Sequence, residues 1–276
     1  MSDPNYMAKI FRITVILFSW FVLLLSFNNE VPILAQSSEV MPADGTLRRI
    51  QVPILMYHYV SVLPPNADET RIGLTVEPAL FEAHLNYFVE AGFNTISLYD
   101  LHRALYTGYD LPSNPVVLTF DDGYVDHYTN VFPRLQNHDF TATFFVITGR
   151  ADNNDPNHLN WSQIVEMSNA GMSMEAHTKD HLGLSGRDYD FLVYQILGSV
   201  ESLEAHTEQT VNMFSYPAGR YDETTLSVVR SLPIFRAVTT ESGATHTTDN
   251  QLELPRLRIT GNMSVAGLQH LLNSIR

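Results

Sequence analysis

The stretch Val116-Val117-Leu118-Thr119-Phe120-Asp121-Asp122-Gly123 runs almost wholly apolar for five residues and then stops at two carboxylates and a glycine. Its length and β-branched content read as a buried strand, and the Asp-Gly pair reads as the turn that ends it. Outward in both directions the same unit recurs. Upstream, strands over residues 52–57 and 95–97 alternate with helices over 78–91 and 99–106. Downstream come a helix over 128–137, strands over 142–147, 172–176, 212–216 and 237–240, and helices over 161–170, 191–205, 223–231 and 264–275. Repeated strand-then-helix order implies a parallel sheet, either doubly wound or closed into a barrel. A barrel places chemistry in the loops after the carboxyl ends of its strands. Polar residues fall there: His58 after the first strand, Asp121 and Asp122 after the quoted one, His177 after 172–176, and residues 217–222 after 212–216.

The 276 residues, 45% hydrophobic and 17% charged, fit one large folded domain. Thirty acidic against 16 basic residues, a net charge of -14, argue against nucleic acid or anionic lipid as the main partner. With no cysteine there is no thiolate zinc site and no cysteine nucleophile, so any metal must be held by histidines and carboxylates. At the amino terminus Lys9 and Arg12 precede an uncharged, mainly apolar run over residues 13–25, followed by Asn28, Asn29 and Glu30. This reads as an export signal. Residues 1–35 are then a signal peptide with Leu34-Ala35-Gln36 for cleavage, or an anchor holding the chain to the membrane through residues 13–27. The run falls short of the roughly 20 residues of a comfortable span. Residues 36–49 read as a linker and 50–276 as the folded domain, working outside the cytoplasmic membrane.

Adjacent carboxylates project differently, so Asp121 and Asp122 can take different roles. One can bind a cation while the other, ionised beside it, takes a proton from water. Taken alone, the pair fits a turn with solvated acids equally well. In His177-Thr178-Lys179-Asp180-His181 two histidines stand four apart, so that a helical turn brings both rings to one side. One carboxylate and two imidazoles make a three-ligand site with an open position for water, suited to zinc or another divalent first-row metal. Phe214-Ser215-Tyr216-Pro217-Ala218-Gly219 is a strand end running into a turn, where a backbone N–H can face a reacting carbonyl.

Together these segments resemble the polysaccharide deacetylases, the NodB-homology or carbohydrate esterase four family. Thr119-Phe120-Asp121-Asp122-Gly123 matches the first family motif, the H-T-x-x-H run from His177 to His181 the second, and the segment from Phe214 to Gly219 a variant of the third, in the family's order. Ala142-Thr143-Phe144-Phe145-Val146 adds to the likeness. Ile54-Leu55-Met56-Tyr57-His58 looks like the opening strand of the subgroup containing exported poly-N-acetylglucosamine deacetylases. The resemblance covers residues 52–260. It implies a distorted (β/α) barrel of parallel strands, fewer than eight. It also implies a metal held by Asp122, His177 and His181, with Asp121 as the base and the Ala218 N–H as oxyanion donor. The metal is expected to be zinc, with nickel, cobalt or iron as alternatives. The partner is an acetylated polysaccharide, contacted by His58, Tyr216 and Ala218, and no nucleic acid. The reaction implied is removal of N-acetyl groups from N-acetylglucosamine polymers. O-acetyl ester hydrolysis, or carbohydrate binding by an inactive relative, stays open.

The sequence departs from the family twice. Ser215 stands where many relatives carry an arginine that steadies the base. Arg256 is expected to replace it, because Pro255-Arg256 resembles the matching segment of members lacking the earlier arginine. Residues 252–259 read as a late strand with Arg256 and Arg258 on one face and the leucines on the other. Leu268-Gln269-His270 carries the letters of a late family motif but sits in a helical segment, so His58 is preferred to His270 for the site and the proton donor stays open.

Overall fold

The computed structural model describes residues 45–234 and 236–275. The expected export segment over 1–35, with its anchoring stretch 13–27, and the linker up to residue 44 lie outside them.

Seven parallel strands close into a barrel: β1 (Ile54–Tyr57), β2 (Pro115–Phe120), β3 (Thr143–Val146), β4 (Ser173–Ala176), β5 (Met213–Ser215), β6 (Arg236–Ser242) and β7 (Leu254–Arg258). They follow one another round the ring in chain order, and β7 pairs back onto β1 through Leu257 opposite Leu55 and Arg258 opposite Met56. An eighth stave is vestigial. Asn94–Thr95 pairs only with the first residues of β2, Asn94 with Pro115 and Thr95 with Val116. From Val117 onward β2 pairs directly with β1. This truncation distorts the barrel and bears out the expectation of fewer than eight strands.

Period-two alternation divides each strand between two cores. Ile54, Val117, Phe145, Met213, Val238 and Leu254 form the barrel interior, which Leu98, Leu101 and Leu105 of the helix Leu98–Thr107 close at the bottom. Leu55, Leu118, Phe144, Met174 and Phe214 point outward into the larger core beneath the surrounding helices. Each fully buried side chain of this size contributes about 1.5–3 kcal/mol. Leu254 therefore corrects the expected division of the last strand: it lies on the interior face with Arg256, two residues away, while Leu257 joins the outer core.

Helices begin where the chain can cap them. Ser97, Asn160 and Asp222 each form a reciprocal capping box, satisfying otherwise orphaned N–H groups. The helix expected over 128–137 is two pieces, a π-helical turn His127–Val131 and an α-helix Phe132–Asn137. Pro133 has no N–H to give to the preceding turn, and a change of helical repeat absorbs the defect. Among the described residues no helix is long and apolar enough to cross a membrane.

Candidate active site

Above the apolar interior, at the carboxyl ends of the strands, a cavity of about 410 Å³ is lined by His58, Asp121, Asp122, His177, His181 and Ala218 among others. The chain turns sharply at each of its walls. Asp122, Thr178, His181 and Ala218 all adopt left-handed backbone conformations, with φ between 51° and 76°. Such conformations cost a side-chain-bearing residue about 1 kcal/mol or more and persist only where surrounding bonds enforce them.

Asp122, His177 and His181 form a three-ligand set, their donor atoms all within 4.8 Å of one another. Asp122 Oδ1 lies 3.3 Å from His177 Nε2 and 3.2 Å from His181 Nε2. That oxygen is buried and has no well-formed hydrogen bond. His177 Nδ1–H donates to the Ser215 carbonyl at 2.7 Å, which fixes the tautomer and leaves the Nε2 lone pair facing Asp122. Burial alone would push the Asp122 carboxyl up, but without a metal a protonated His177 ring bonds to it and holds it well below the usual carboxylate range, a positive charge that a bound cation would replace. An ionised carboxylate facing two imidazole lone pairs at this spacing fits a divalent cation.

The two rings do not meet by the expected helical turn. Residues 177–182 are a loop, and its left-handed residues Thr178 and His181 bring the ring centroids to 4.9 Å. Neighbouring helices clamp it. Thr148 and Gly149, opening the helix Thr148–Asp152, donate backbone N–H bonds to the Thr178 and Lys179 carbonyls at 3.2 and 2.8 Å. From the helix Tyr189–Thr207, Gln195 accepts from the Asp180 N–H at 3.0 Å and donates to its carboxylate at 2.7 Å. Sequence reading had no signal for Gly149 or Gln195, since neither carries chemistry of its own.

Arg256, fully buried on β7, uses every guanidinium N–H. Its Nε donates to the Thr239 carbonyl at 2.9 Å, and one terminal nitrogen donates to Thr119 Oγ1 at 3.1 Å and Asp121 Oδ1 at 2.7 Å. The other donates to Asp121 Oδ2 at 2.6 Å and Ser215 Oγ at 3.2 Å. Burial raises the Asp121 pKa, but the paired guanidinium more than reverses this and holds the carboxyl down to about 2. Asp121 is therefore an ionised, rigidly oriented carboxylate facing the cavity.

His58 also lines the cavity, with a buried Nδ1 that has no hydrogen-bond partner. Burial, opposed by the Asp121 and Asp122 charges, lowers its pKa to about 4, so the ring is neutral at pH 7. Ala218 sits at the cavity in a turn completed by Gly219, where a Cβ would lie 2.2 Å from Thr240 Oγ1. Tyr216 does not reach the cavity. Ser215 faces the interior, so the next side chain points the other way: Tyr216 is buried in the outer core, stacked on Tyr221 and donating to the Leu252 carbonyl at 3.0 Å. The expected substrate contact through its side chain is thereby corrected. His270 is exposed on the helix Val265–Asn273, away from the site. Tyr59, Tyr124, Arg71 and Arg258 also line the cavity; only Arg258 had been marked in the sequence, by its spacing from Arg256.

A family model described as polysaccharide deacetylase matches residues 108–236, from β2 to the start of β6. The Bacillus subtilis (strain 168) polysaccharide deacetylase family protein YxkH is 31% identical over 231 residues, covering 84% of this chain and 79% of its own. The chain belongs to the polysaccharide deacetylase family. The solved structure of the Streptococcus pyogenes deacetylase PplD, in complex with acetate, is 33% identical with a TM-score of 0.75, covering 81% of this chain and 99% of PplD. The Escherichia coli (strain K12) poly-β-1,6-N-acetyl-D-glucosamine N-deacetylase is 24% identical over 276 residues, covering 84% of this chain but 41% of its own length. Polysaccharide deacetylases of this family use a divalent metal, and Asp122, His177 and His181 are the residues here that fit one.

Proposed function

We propose that the chain hydrolyses the acetamide of N-acetylglucosamine units in a polysaccharide, outside the cytoplasmic membrane, with a metal held by Asp122, His177 and His181. The carrying observation is that a carboxylate gripped by Arg256 stands beside a carboxylate facing two imidazoles, in one cavity. Zinc is the metal we favour, as a borderline-soft ion suited to two imidazoles and one carboxylate. A divalent cation in that set supplies a Lewis acid that polarises the acetyl carbonyl and acidifies water. Asp121 takes the proton of the attacking water, whose oxygen bonds to the acetyl carbon. The Ala218 N–H donates to the carbonyl oxygen as negative charge gathers there. The carbon–nitrogen bond then breaks, giving acetate and a protonated sugar amine. Arg256 positions Asp121, and His58 lines the sugar's cavity as a neutral ring. The deciding experiment offers the protein N-acetylated and O-acetylated oligosaccharides and measures acetate and free amine. Amine and acetate released in equal amounts, and abolished by chelation, is the expected result. Acetate from O-acetylated glycans alone would replace the amidase reading with an esterase one.

A further inference from the structure

The cavity carries positive charge that deacetylation does not use. Arg258, two residues beyond Arg256 on β7, lines it with no hydrogen bond or ion pair among the described residues. Its neighbour Arg256 commits five N–H groups internally, whereas those of Arg258 are uncommitted. A second guanidinium flanks the cavity. Arg71 lies flat on the Tyr59 ring, 3.2 Å from its centroid, and donates to Ser61 Oγ at 2.8 Å, while its buried Nε has no partner. Asp68 lines the same wall, but one of its oxygens caps the helix Glu69–Leu74 by accepting the Arg71 backbone N–H.

This arrangement runs against the rest of the molecule. In a chain with a net charge of -14, acids to neutralise Arg258 are plentiful elsewhere. Arg258 is exposed at the cavity, so its N–H groups are open to a bound glycan, and the acid whose charge acts on it, Asp121, has both carboxylate oxygens engaged by Arg256. A neutral acetylated polymer would offer it only hydroxyls and amides, for which an uncharged glutamine would serve as well. A guanidinium with free N–H groups instead matches the paired oxygens of a carboxylate or phosphate.

We propose that Arg258, flanked by Arg71, binds a carboxylate or phosphate carried by the glycan beside the reacting acetamide, so that the preferred substrate is an anionic N-acetylated polysaccharide. The proposal deepens the deacetylase reading and rests on it. Its test uses the full metal-loaded chain and three oligosaccharides sharing one N-acetylglucosamine: a neutral one, one with a lactyl ether carboxylate on the adjoining sugar, and one with a phosphate there. Acetate release gives kcat and KM, and calorimetry gives Kd, each at low and high salt. An anionic glycan should be favoured about tenfold or more in KM and Kd, with the preference shrinking as salt rises. Arg258→Gln should bring that ratio close to one, Arg258→Lys should restore part of it, and Arg71→Gln should reduce it less. Whichever anionic glycan gains more identifies the group. Equal binding of all three by the unaltered protein, or a ratio that survives Arg258→Gln, would overturn the proposal. A charge preference in Kd with no acetate from any glycan would leave recognition by Arg258 standing and remove the deacetylase reading instead.

Discussion

At the scale of single residues, the site turns on a guanidinium and a carboxylate brought together across 135 residues of sequence. Ser215 explains how the family's usual arginine can be absent: its small side chain leaves β5 clear for Arg256 to reach Asp121 from β7, and its hydroxyl accepts one of the guanidinium N–H bonds. The sequence made the missing arginine visible and the late Pro-Arg pair a candidate. It did not show that Thr119 and Thr239 complete the acceptor set, because backbone carbonyls and threonines carry no signature. Arg256→Ala should lower kcat about ten- to a thousandfold at full metal occupancy, by loosening the base without removing it. An unchanged kcat would return the orientation of Asp121 to another partner. A pH profile separates this from general structural damage. Asp121 has a folded pKa of about 2 against an ordinary 3.8, so its contribution to stability is present above the ordinary value and fades as pH falls towards 2. Without Arg256 the largest counterweight to burial is gone and the pKa rises, so the acid limb of kcat/KM should move to higher pH in Arg256→Gln. A limb at the same pH in both proteins would count against the pairing.

Among the elements, most of the barrel was legible and most of its loops were not. The helix expected over 223–231 is Glu223–Ser231, and the strand over 116–120 gains only Pro115, because apolar periodicity and capping residues are local signals. The loop from His177 to His181 was misjudged as a helical turn because spacing alone cannot report a left-handed residue. Its geometry comes from elsewhere in the chain, chiefly from the two N–H groups that open the helix Thr148–Asp152. Gly149 allows that approach: a Cβ there would lie 2.4 Å from the Lys179 carbonyl oxygen and 3.0 Å from an Asp180 carboxylate oxygen. Gly149→Ala must therefore push the loop that holds both histidines. Equilibrium dialysis should show metal affinity reduced about 10- to 100-fold, as when outer supports of a metal site are lost, although residue 149 supplies no ligand. Wild-type affinity in a folded Gly149→Ala protein would mean that the loop holds its shape unaided.

For the whole molecule, two properties reach beyond the site. The proposed export rests on residues 1–49: fused to a reporter active only outside the cytoplasm, they should give signal, and a reporter confined to the cytoplasm would remove the proposed location. The other is a pH-dependent stability built into the barrel. Glu175 on β4 is 1% exposed, and its Oε2 accepts the Met213 backbone N–H at 2.9 Å. Burial pushes its pKa up to about 8, despite that bond and those from Tyr99 and Asn212. The folded chain thus keeps a proton on Glu175 that the unfolded chain releases near its ordinary value of 4.5. For a raised carboxyl pKa the associated stability is complete below about 4.5 and is lost as pH climbs through about 8. The metal-free protein should therefore weaken between these limits by up to about 1.4 kcal/mol per pH unit from this group. Glu175→Gln keeps an oxygen for the Met213 N–H and cannot ionise, so its stability should fall less over the same range. Denaturant unfolding of both proteins at pH 5, 6.5 and 8 decides the matter: parallel pH dependences would show that Glu175 is not the group whose burial the barrel opposes.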